Sequence, residues 1–443
     1  MIRWREESGQ VLVLMALSMT VLLGIVGFAT DIGVMLRERR TVQTAADAAA
    51  LAGAAESLYE GTPTSVTSGM WSAATLDTGL NGFVPGASNG TASSAGTTLT
   101  LYISPNIDIS NYNARGYVQA VATQTTPTTF LNFFGFHSMD VTATAIASNT
   151  LHSEGCIYVQ DDGNNDANDT VDLNGHSLVA SPNCGMTVNG AISASGSSAI
   201  NAKFVTASGS ITGGDSSWIS GVPAPPDPLS YLKLTAYQPT VPGNGTCSVP
   251  SSWGFTGGCV LNYDGGNITG GLPSSNTVYV FDSTHPLKFA QNATITGTNV
   301  AFYVMGNDYI DFYNGTLTLS PSGPNPPNAD NSCSDPSNTN PLCGVLIDAP
   351  TDGSTGGTYT CSSGSGNNSS NPGSIYYDFG SSVVSLTGIV YAPGMQLFVQ
   401  DQGSHTTFDT DLVIGNICAQ SGNITVNGFS GDQSPIRRIG LVY

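Results

Sequence analysis

The sequence predicts a mainly β protein in three parts. An N-terminal transmembrane helix and its extension occupy residues 1–60, a small α+β membrane-proximal domain residues 61–150, and a parallel β-helix-like solenoid residues 151–443. Three observations predict this fold class. A long uncharged apolar run lies in the first part, alternating β-prone runs lie in the second, and many short β-prone runs ending at glycine-containing turns fill the third.

The transmembrane helix is predicted by residues 11–30, VLVLMALSMTVLLGIVGFAT, which contain no charge. At about 1.5 Å of rise per residue, this run spans about 30 Å, the thickness of a bilayer's hydrocarbon core. Eleven of these residues are Val, Leu, Ile or Phe, which favour insertion. A cleaved signal peptide is the alternative, but it needs a small-x-small site just beyond a short apolar region, whereas Asp31 and further helix-forming sequence follow.

The helix is expected to continue outward, because residues 36–59 are rich in alanine and free of proline. Small residues recur at four-residue spacing and form a stripe that allows another helix to approach closely. The stripe comprises Ala16, Thr20 and Gly24 in the apolar run, then Thr41, Ala45, Ala49 and Gly53 beyond it. The alternative interpretation is that alanine and glycine are simply common in membrane helices.

Four motifs follow one another in this region: ESGQ at residues 7–10, DIG at 31–33, RR at 39–40 and AADAAALAGA at 45–54. Together they resemble the N-terminal segment of TadE/TadG-like proteins of the Flp (Tad) pilus-assembly system. The resemblance implies an inner-membrane anchor that carries a periplasmic or external domain and serves the assembly of adhesive pili. It also implies that membrane lipid and other pilus-assembly proteins contact the N-terminal helix.

Two departures limit what the resemblance implies. Prepilin-type subunits carry a glycine cleavage point followed five residues later by glutamate, and after Gly9 the fifth residue is Leu14. Processing as a pilin is therefore not expected. Some TadG-like proteins carry a von Willebrand A domain with an Asp-x-Ser-x-Ser metal site, but residues 352–356 here read DGSTG, without the final serine.

The α+β domain is predicted from period-two alternation in residues 98–103, 117–122 and 139–147, which is typical of half-buried strands. Residues 129–136, TFLNFFGF, predict a short amphipathic helix between the last two strands. Beyond residue 150, brief strands separated by Asn-Gly, Ser-Gly and Thr-Gly turns favour a parallel β-helix over a β-sandwich. Proline-rich insertions at 222–228 and 321–341 interrupt it.

The charge distribution excludes nucleic acid as a partner. The chain has a formal net charge of −20, and five of its 11 Lys and Arg residues lie in the first forty positions. All eight cysteines follow the apolar run, and none has CxxC spacing, so we expect disulfides in an oxidising compartment. Proximity favours the pairs Cys247 with Cys259 and Cys333 with Cys343. The cysteines place the N-terminus in the cytoplasm and the body in the periplasm or outside the cell.

An acidic segment at residues 161–172 suggests a Ca²⁺ site, the one cofactor that the sequence suggests. Its oxygen ligands at alternate positions would be Asp162, Asn164, Asp166 and Asn168. It is not an EF-hand loop, because the sixth position is Ala167 and the twelfth is Leu173. A solvated turn beside the first solenoid strand is the alternative.

We expect no catalysis, because no nucleophile elbow, P-loop or dinucleotide fingerprint stands between a strand and a helix. The expected function is that of a non-catalytic structural or assembly component of a Flp-type pilus. The alternative is a cell-surface adhesin or carbohydrate-binding β-helix protein, favoured if aromatic residues such as Tyr391 and Phe398 line one face. A polysaccharide-active enzyme would need two facing carboxylates in one groove.

Overall fold

The computed structural model describes residues 8–59, 65–83, 91–94, 96–103, 106–107, 109, 112, 116–152, 154–160, 170–224, 227–242, 245–272, 275–306, 309–313, 315–327, 332–333, 338–350, 374–377, 383–399, 407–420, 422–429 and 434–443. They divide into two compact units. The first unit comprises Met1–Leu151 with Arg438–Tyr443, and the second comprises His152–Arg437. The division falls close to the boundary that the sequence predicts between the α+β domain and the β-rich remainder.

Among its described residues, the first unit contains two α-helices, α1 (Ser8–Tyr59) and α2 (Ser68–Leu80). Helix α1 has 52 residues and includes both the apolar run and its alanine-rich continuation. Thr67 is the N-cap of helix α2, and its side chain accepts a hydrogen bond from the backbone N–H of Met70 at 3.1 Å.

A five-stranded sheet completes the first unit, in the order β1-β2-β3-β4-β27. Its strands are β1 (Thr91–Ser94), β2 (Thr97–Ile103), β3 (Tyr117–Pro127), β4 (Ser138–His152) and β27 (Arg437–Leu441). The pairs from β1 to β4 are antiparallel. Strands β2, β3 and β4 contain the three runs whose alternation predicts strands.

The core of the first unit lies between the outer half of α1, helix α2 and this sheet. Ala45 and Ala49 are completely buried in the same cluster as Leu99, Leu101 and Val118. Small side chains on α1 allow the sheet to approach the helix closely, just as they would allow another helix to approach it.

The expectation of an amphipathic helix at residues 129–136 is wrong. The structure has a 3₁₀ turn at Leu131–Phe134 with no buried residue. An amphipathic helix forms by burying one face, and this segment is too short and too exposed to bury one.

The described residues of the second unit form a 22-stranded sheet, over which a covering segment lies. Its first nine strands are β5 (Gly155–Val159), β6 (Val171–Asn174), β7 (Leu178–Ser181), β8 (Gly185–Val188), β9 (Ile192–Ala194), β10 (Ala199–Ala202), β11 (Val205–Ala207), β12 (Ile211–Thr212) and β13 (Ile219–Ser220). The remaining strands are β14 (Cys259–Leu261), β15 (Asn267–Ile268), β16 (Thr277–Phe281), β17 (Leu287–Phe289), β18 (Thr294–Gly297), β19 (Val300–Val304), β20 (Ile310–Phe312), β21 (Thr316–Leu319), β22 (Val345–Asp348), β23 (Ser374–Tyr377), β24 (Val383–Val399), β25 (Thr407–Gln420) and β26 (Asn423–Val426).

Parallel pairing between strands two or three apart along the chain dominates this sheet. Strand β8 pairs with both β5 and β11, and β9 pairs with both β6 and β12. Each register places apolar residues over apolar residues, as in Ile157↔Met186 and Met186↔Val205. The described strands form a large parallel sheet that does not close into a barrel.

One row of this sheet runs β14-β16-β19-β22-β24-β25-β5-β8-β11-β13. Among the described strands, β13 pairs in this row with β11 alone and β14 with β16 alone, so they lie at its two ends. Residues 221–258, the covering segment, therefore carry the chain from one end of the row to the other.

Strands β16, β19, β22 and β5 of this row are buried on both faces, whereas β13 at one end is exposed. In β16, Tyr279 and Phe281 point into the main core, whereas Val278 and Val280 lie in a second cluster. The second cluster also contains Leu229, Leu232, Trp253 and Phe255 of the covering segment. This explains why these strands lack the alternating polar residues of a half-exposed strand.

Candidate functional site

The most distinctive surface of the described residues is the apolar run of α1. Its side chains are exposed along the whole length, with exposed fractions of 72% at Leu12 and 61% at Leu22. No other described helix is long and apolar enough to cross a membrane, and no part of this run's most apolar window is buried. A soluble domain rarely leaves so large an apolar surface uncovered, so this surface requires an apolar partner.

The polar groups within the run are satisfied locally. Thr20 and Thr30 each donate a side-chain hydrogen bond of 2.9 Å to the backbone carbonyl four residues earlier. Ser18 donates to the carbonyl of Met15 at 2.9 Å. The hydroxyls of this run therefore need no water, which is the condition for placing them in hydrocarbon.

The run ends at Asp31, whose carboxylate binds a loop of the same unit. Its two oxygens accept hydrogen bonds from the backbone N–H groups of Thr129, Phe130 and Leu131 at 2.9, 2.9 and 2.7 Å. Asp31 is only 3% exposed. These donors replace the solvation that a carboxylate loses when it is covered.

One turn earlier, Gly27 allows this loop to lie against the helix. A Cβ atom at position 27 would overlap the ring of Phe130, so any larger residue would displace the ring. Gly27 and Asp31 are four residues apart and share one helix face. The DIG motif contains Asp31, but the motif alone does not predict this contact. Two signals in the sequence point to it: an aspartate directly after an apolar run, and the Phe-rich segment 130–136.

The predicted stripe of small residues divides into two parts. Ala45 and Ala49 are buried by the unit's own core, and a Cβ on Gly53 would lie 3.0 Å from a methyl carbon of Val118. This outer part is therefore occupied by the chain's own sheet and cannot receive another helix. Ala16 and Thr20 are exposed and Gly24 is half-buried.

Disulfides fasten the second unit. Cys247 is bonded to Cys259 and Cys333 to Cys343, the two pairs that proximity favours. A third bond joins Cys156 to Cys184, which are 28 residues apart in the sequence. Cys156 lies in strand β5, and Cys184 directly precedes the neighbouring strand β8. Cys418 is also disulfide-bonded, and none of the described cysteines is free.

Buried acidic residues in the second unit were not anticipated. Asp348 of β22 is completely buried, opposite Tyr303 of β19 and Tyr391 of β24. Burial raises the pKa of Asp348 well above its usual range, which favours the neutral carboxyl. A fully enclosed carboxyl cannot contact a polymeric substrate, so Asp348 has a structural role.

A hydrogen bond from Tyr391 of β24 connects the sheet to the covering segment. The Tyr391 hydroxyl donates to Asp227 Oδ2 at 2.8 Å, and Lys233 Nζ lies 3.4 Å from the same oxygen. Burial, together with the nearby charge of Asp227, raises the pKa of Tyr391. Tyr391 and Phe398 are both buried, so neither forms the exposed aromatic row that would favour carbohydrate binding.

A cavity of about 270 Å³ lies beside the Cys156–Cys184 bond and is lined in part by Asp411. The Asp411 carboxylate accepts hydrogen bonds from the Phe429 N–H at 2.9 Å and the Ser434 hydroxyl at 2.8 Å. Burial outweighs these bonds and raises the pKa of Asp411 to about 7. The group therefore titrates near neutrality.

The expected Ca²⁺ ligands Asp162, Asn164, Asp166 and Asn168 lie outside the described residues. Within the described part of the chain, no group of three or more His, Cys, Asp or Glu residues is placed to hold a metal ion.

Two family matches fall within the first unit. Residues 9–56 match the family described as putative Flp pilus-assembly TadE/G-like, and residues 33–147 match the family described as putative Tad-like Flp pilus-assembly. None of the curated proteins matches the chain. Among solved structures, the competence-associated pilin ComZ from Thermus thermophilus is 10% identical, with 81% of this chain and 86% of that chain covered.

The TM-score for ComZ is 0.22, too low to support an argument about fold. The two family matches together end at residue 147, close to the end of the first unit at Leu151, and leave the second unit unassigned. The resemblance seen in the N-terminal motifs is confirmed: the chain carries a TadE/G-like region of the Flp pilus-assembly proteins at residues 9–56, and an overlapping Tad-like region extends from residue 33 to residue 147.

Proposed function

We propose that this protein is a single-pass, membrane-anchored, non-catalytic component of a Flp (Tad)-type pilus-assembly system, with its body outside the cytoplasm. One observation carries the proposal: a chain with Tad-family regions over residues 9–147 leaves the apolar run of α1 uncovered by the rest of its own fold, except where Phe130 lies against Gly27. A bilayer is the partner that covers an apolar surface on every side of a helix.

Orientation rests on the disulfides. Three bonds with both partners described, and the bonded Cys418, all belong to the second unit. Structural disulfides persist in oxidising compartments and are rare in the cytoplasm. The proposal therefore places the second unit in the periplasm or outside the cell, with the N-terminus in the cytoplasm.

The second unit is proposed to be a parallel β-helix. Support comes from rows of strands that pair in parallel with partners two or three strands away, such as β5-β8-β11 beside β6-β9-β12. Such a coil buries one stripe of each strand against its neighbours and forms a stiff body. Its disulfides suit a mechanical or presenting role.

Partner contacts are proposed for the inner part of the small-residue stripe. Ala16, Thr20 and Gly24 lie within the apolar run and are not covered by the unit's own core. Small residues at this spacing allow a second transmembrane helix to pack closely. A helix of another pilus-assembly protein is the proposed partner.

The test introduces charge into the proposed span. The double variant Leu17→Asp/Leu22→Asp replaces two exposed leucines, and each exchange disfavours insertion by about 3–4 kcal/mol. Leu76→Asp/Leu80→Asp is the matched control, because both leucines are exposed on α2 of the same unit. Cells expressing each form are fractionated, and the membranes are washed with alkaline carbonate.

The proposal predicts that the unmodified protein and the α2 control stay in the washed membranes, whereas the double variant in the run is released or degraded. If the unmodified protein is released by carbonate, the anchor is refuted. If the variant in the run is retained as fully as the control, the apolar run is not what holds the protein in the membrane.

A further inference from the structure

A cluster of exposed aromatic side chains lies in the loop that Asp31 binds. The exposed fractions are 86% at Phe133, 68% at Phe134 and 60% at Phe136. Outside α1, these are the exposed phenylalanines among the residues that the structure describes. The ring of Phe130 lies 6.3 Å from that of Phe133 and 5.7 Å from that of Phe134, so the rings form one apolar patch.

The height of this patch along α1 is fixed by two contacts. Asp31 accepts the three backbone hydrogen bonds of residues 129–131, and Phe130 lies against Gly27. Gly27 is inside the apolar run, and Asp31 is the first residue after it. The patch therefore lies level with the outer end of the proposed span, where hydrocarbon gives way to headgroups.

The uncharged composition of the loop suits a position at the outer end of the proposed span. Residues 128–136, TTFLNFFGF, carry no charge. The carboxylate of Asp31, to which the loop binds, is covered and accepts hydrogen bonds from three backbone N–H groups. Exposed phenylalanines beside a membrane gain free energy by entering the interface, as they do in amphipathic segments that lie on a bilayer.

We infer that the loop at residues 129–136 is a second membrane-contacting element, in which Phe133, Phe134 and Phe136 insert into the lipid interface on the side that faces the body. The inference rests on the proposed membrane anchor. It assigns the loop a role that the helix alone cannot fill, because a single helix is free to rotate and tilt. A lipid-contacting loop fixed to one face of α1 sets both the rotation of the helix and its depth in the bilayer.

The test uses the full chain in phosphatidylcholine vesicles. Cysteine is introduced singly at Phe133, Phe134 or Phe136 and labelled with an environment-sensitive fluorophore, and lipids with a nitroxide near the headgroup act as quenchers. Leu22→Cys reports the apolar run, and Leu76→Cys, which is 65% exposed on α2, is the matched control outside it. Because the described native cysteines are all bonded, the introduced thiol is the intended labelling site.

We expect labels at the three loop positions to shift to the blue and lose fluorescence to the shallow nitroxide, while the label at Leu76 keeps its intensity. If Leu22 is quenched by a nitroxide deep in the acyl chains but the loop labels behave like Leu76, the inference fails and the anchor stands. If Leu22 is not quenched either, the anchor itself fails and the inference with it. A blue shift without lipid quenching would show a protein partner on the patch and would overturn the lipid contact.

Discussion

Stability should fall as the pH rises from about 4 to about 7, because folding buries carboxyl groups that prefer to be protonated. The pKa of Asp411 is about 7 in the folded protein, against 3.8 for an ordinary aspartate. Such a group binds its proton more tightly when folded, so its stabilising contribution is complete below the unfolded pKa and is lost as the pH approaches 7. A difference of about three pH units corresponds to about 4 kcal/mol for Asp411 alone.

Two other buried carboxyls of the second unit, those of Asp311 and Asp348, act in the same direction. Burial raises the pKa of Asp311 to about 7, although Lys288 opposes the shift, and it raises the pKa of Asp348 further. Asp282 acts in the opposite direction, because hydrogen bonds from groups including His285 outweigh its burial and lower its pKa. Its contribution is lost only below the ordinary pKa of aspartate, so the buried carboxyls dominate between about pH 4 and about pH 7.

The variant Asp411→Asn isolates one of these groups. Asparagine has the same shape, can accept from the Phe429 N–H and can donate to the Ser434 oxygen, but it does not ionise. We expect the variant to be more stable than the unmodified protein by up to about 4 kcal/mol at about pH 8 and nearly equal to it at about pH 4. The assay is urea unfolding of the full chain in a nonionic detergent, followed by tryptophan fluorescence across this pH range.

Asp409→Asn is the matched control, because Asp409 lies on the same strand β25 but is exposed. It should leave the pH dependence of stability as it is in the unmodified protein. If stability rises from pH 4 to pH 7, or if Asp411→Asn shows the same pH dependence as the unmodified protein, the argument from burial is wrong.

Three further predictions concern packing, covalent bonds and the loop contact. Phe302→Ala should lower the free energy of unfolding by about 3–5 kcal/mol, because Phe302 is completely buried among other aromatic rings. Phe133→Ala is the control at an exposed phenylalanine, and equal losses of stability in the two variants would contradict the assigned core. Replacing Cys247 and Cys259 together by serine should cost about 3 kcal/mol in urea unfolding, and no loss would contradict a stabilising bond. Asp31→Ala should speed amide hydrogen exchange at residues 129–131, whereas the control Asp47→Ala, on the same helix, should not. Unchanged exchange in Asp31→Ala would show that Asp31 does not hold the loop.

Much of the first unit could be predicted from local pattern. The uncharged run, the alanine-rich continuation and the alternating runs correspond to α1, β2, β3 and β4, because each pattern reports the burial of one face. The role of the outer stripe could not be predicted in this way. A stripe of small residues favours any close neighbour, and here the neighbour of Ala45 and Ala49 is the chain's own sheet.

The site details depend on contacts between distant residues. Asp31 binds residues about a hundred positions away, and Tyr391 binds Asp227 across 164 positions. Cys156 and Cys184 are far apart in sequence but become neighbours because β5 and β8 pair in parallel. Periodicity and spacing describe one segment at a time, so they cannot reveal pairings that only the strand order creates.

Protease treatment of intact spheroplasts tests the central claim most directly, that a membrane-inserted α1 holds the second unit outside the cytoplasm. The account predicts that protease added outside degrades the second unit, starting at exposed loops, and leaves an N-terminal fragment containing residues 11–30 in the membrane. A second unit that resists the protease until the membrane is permeabilised, or that is recovered intact in the soluble fraction, would contradict the account.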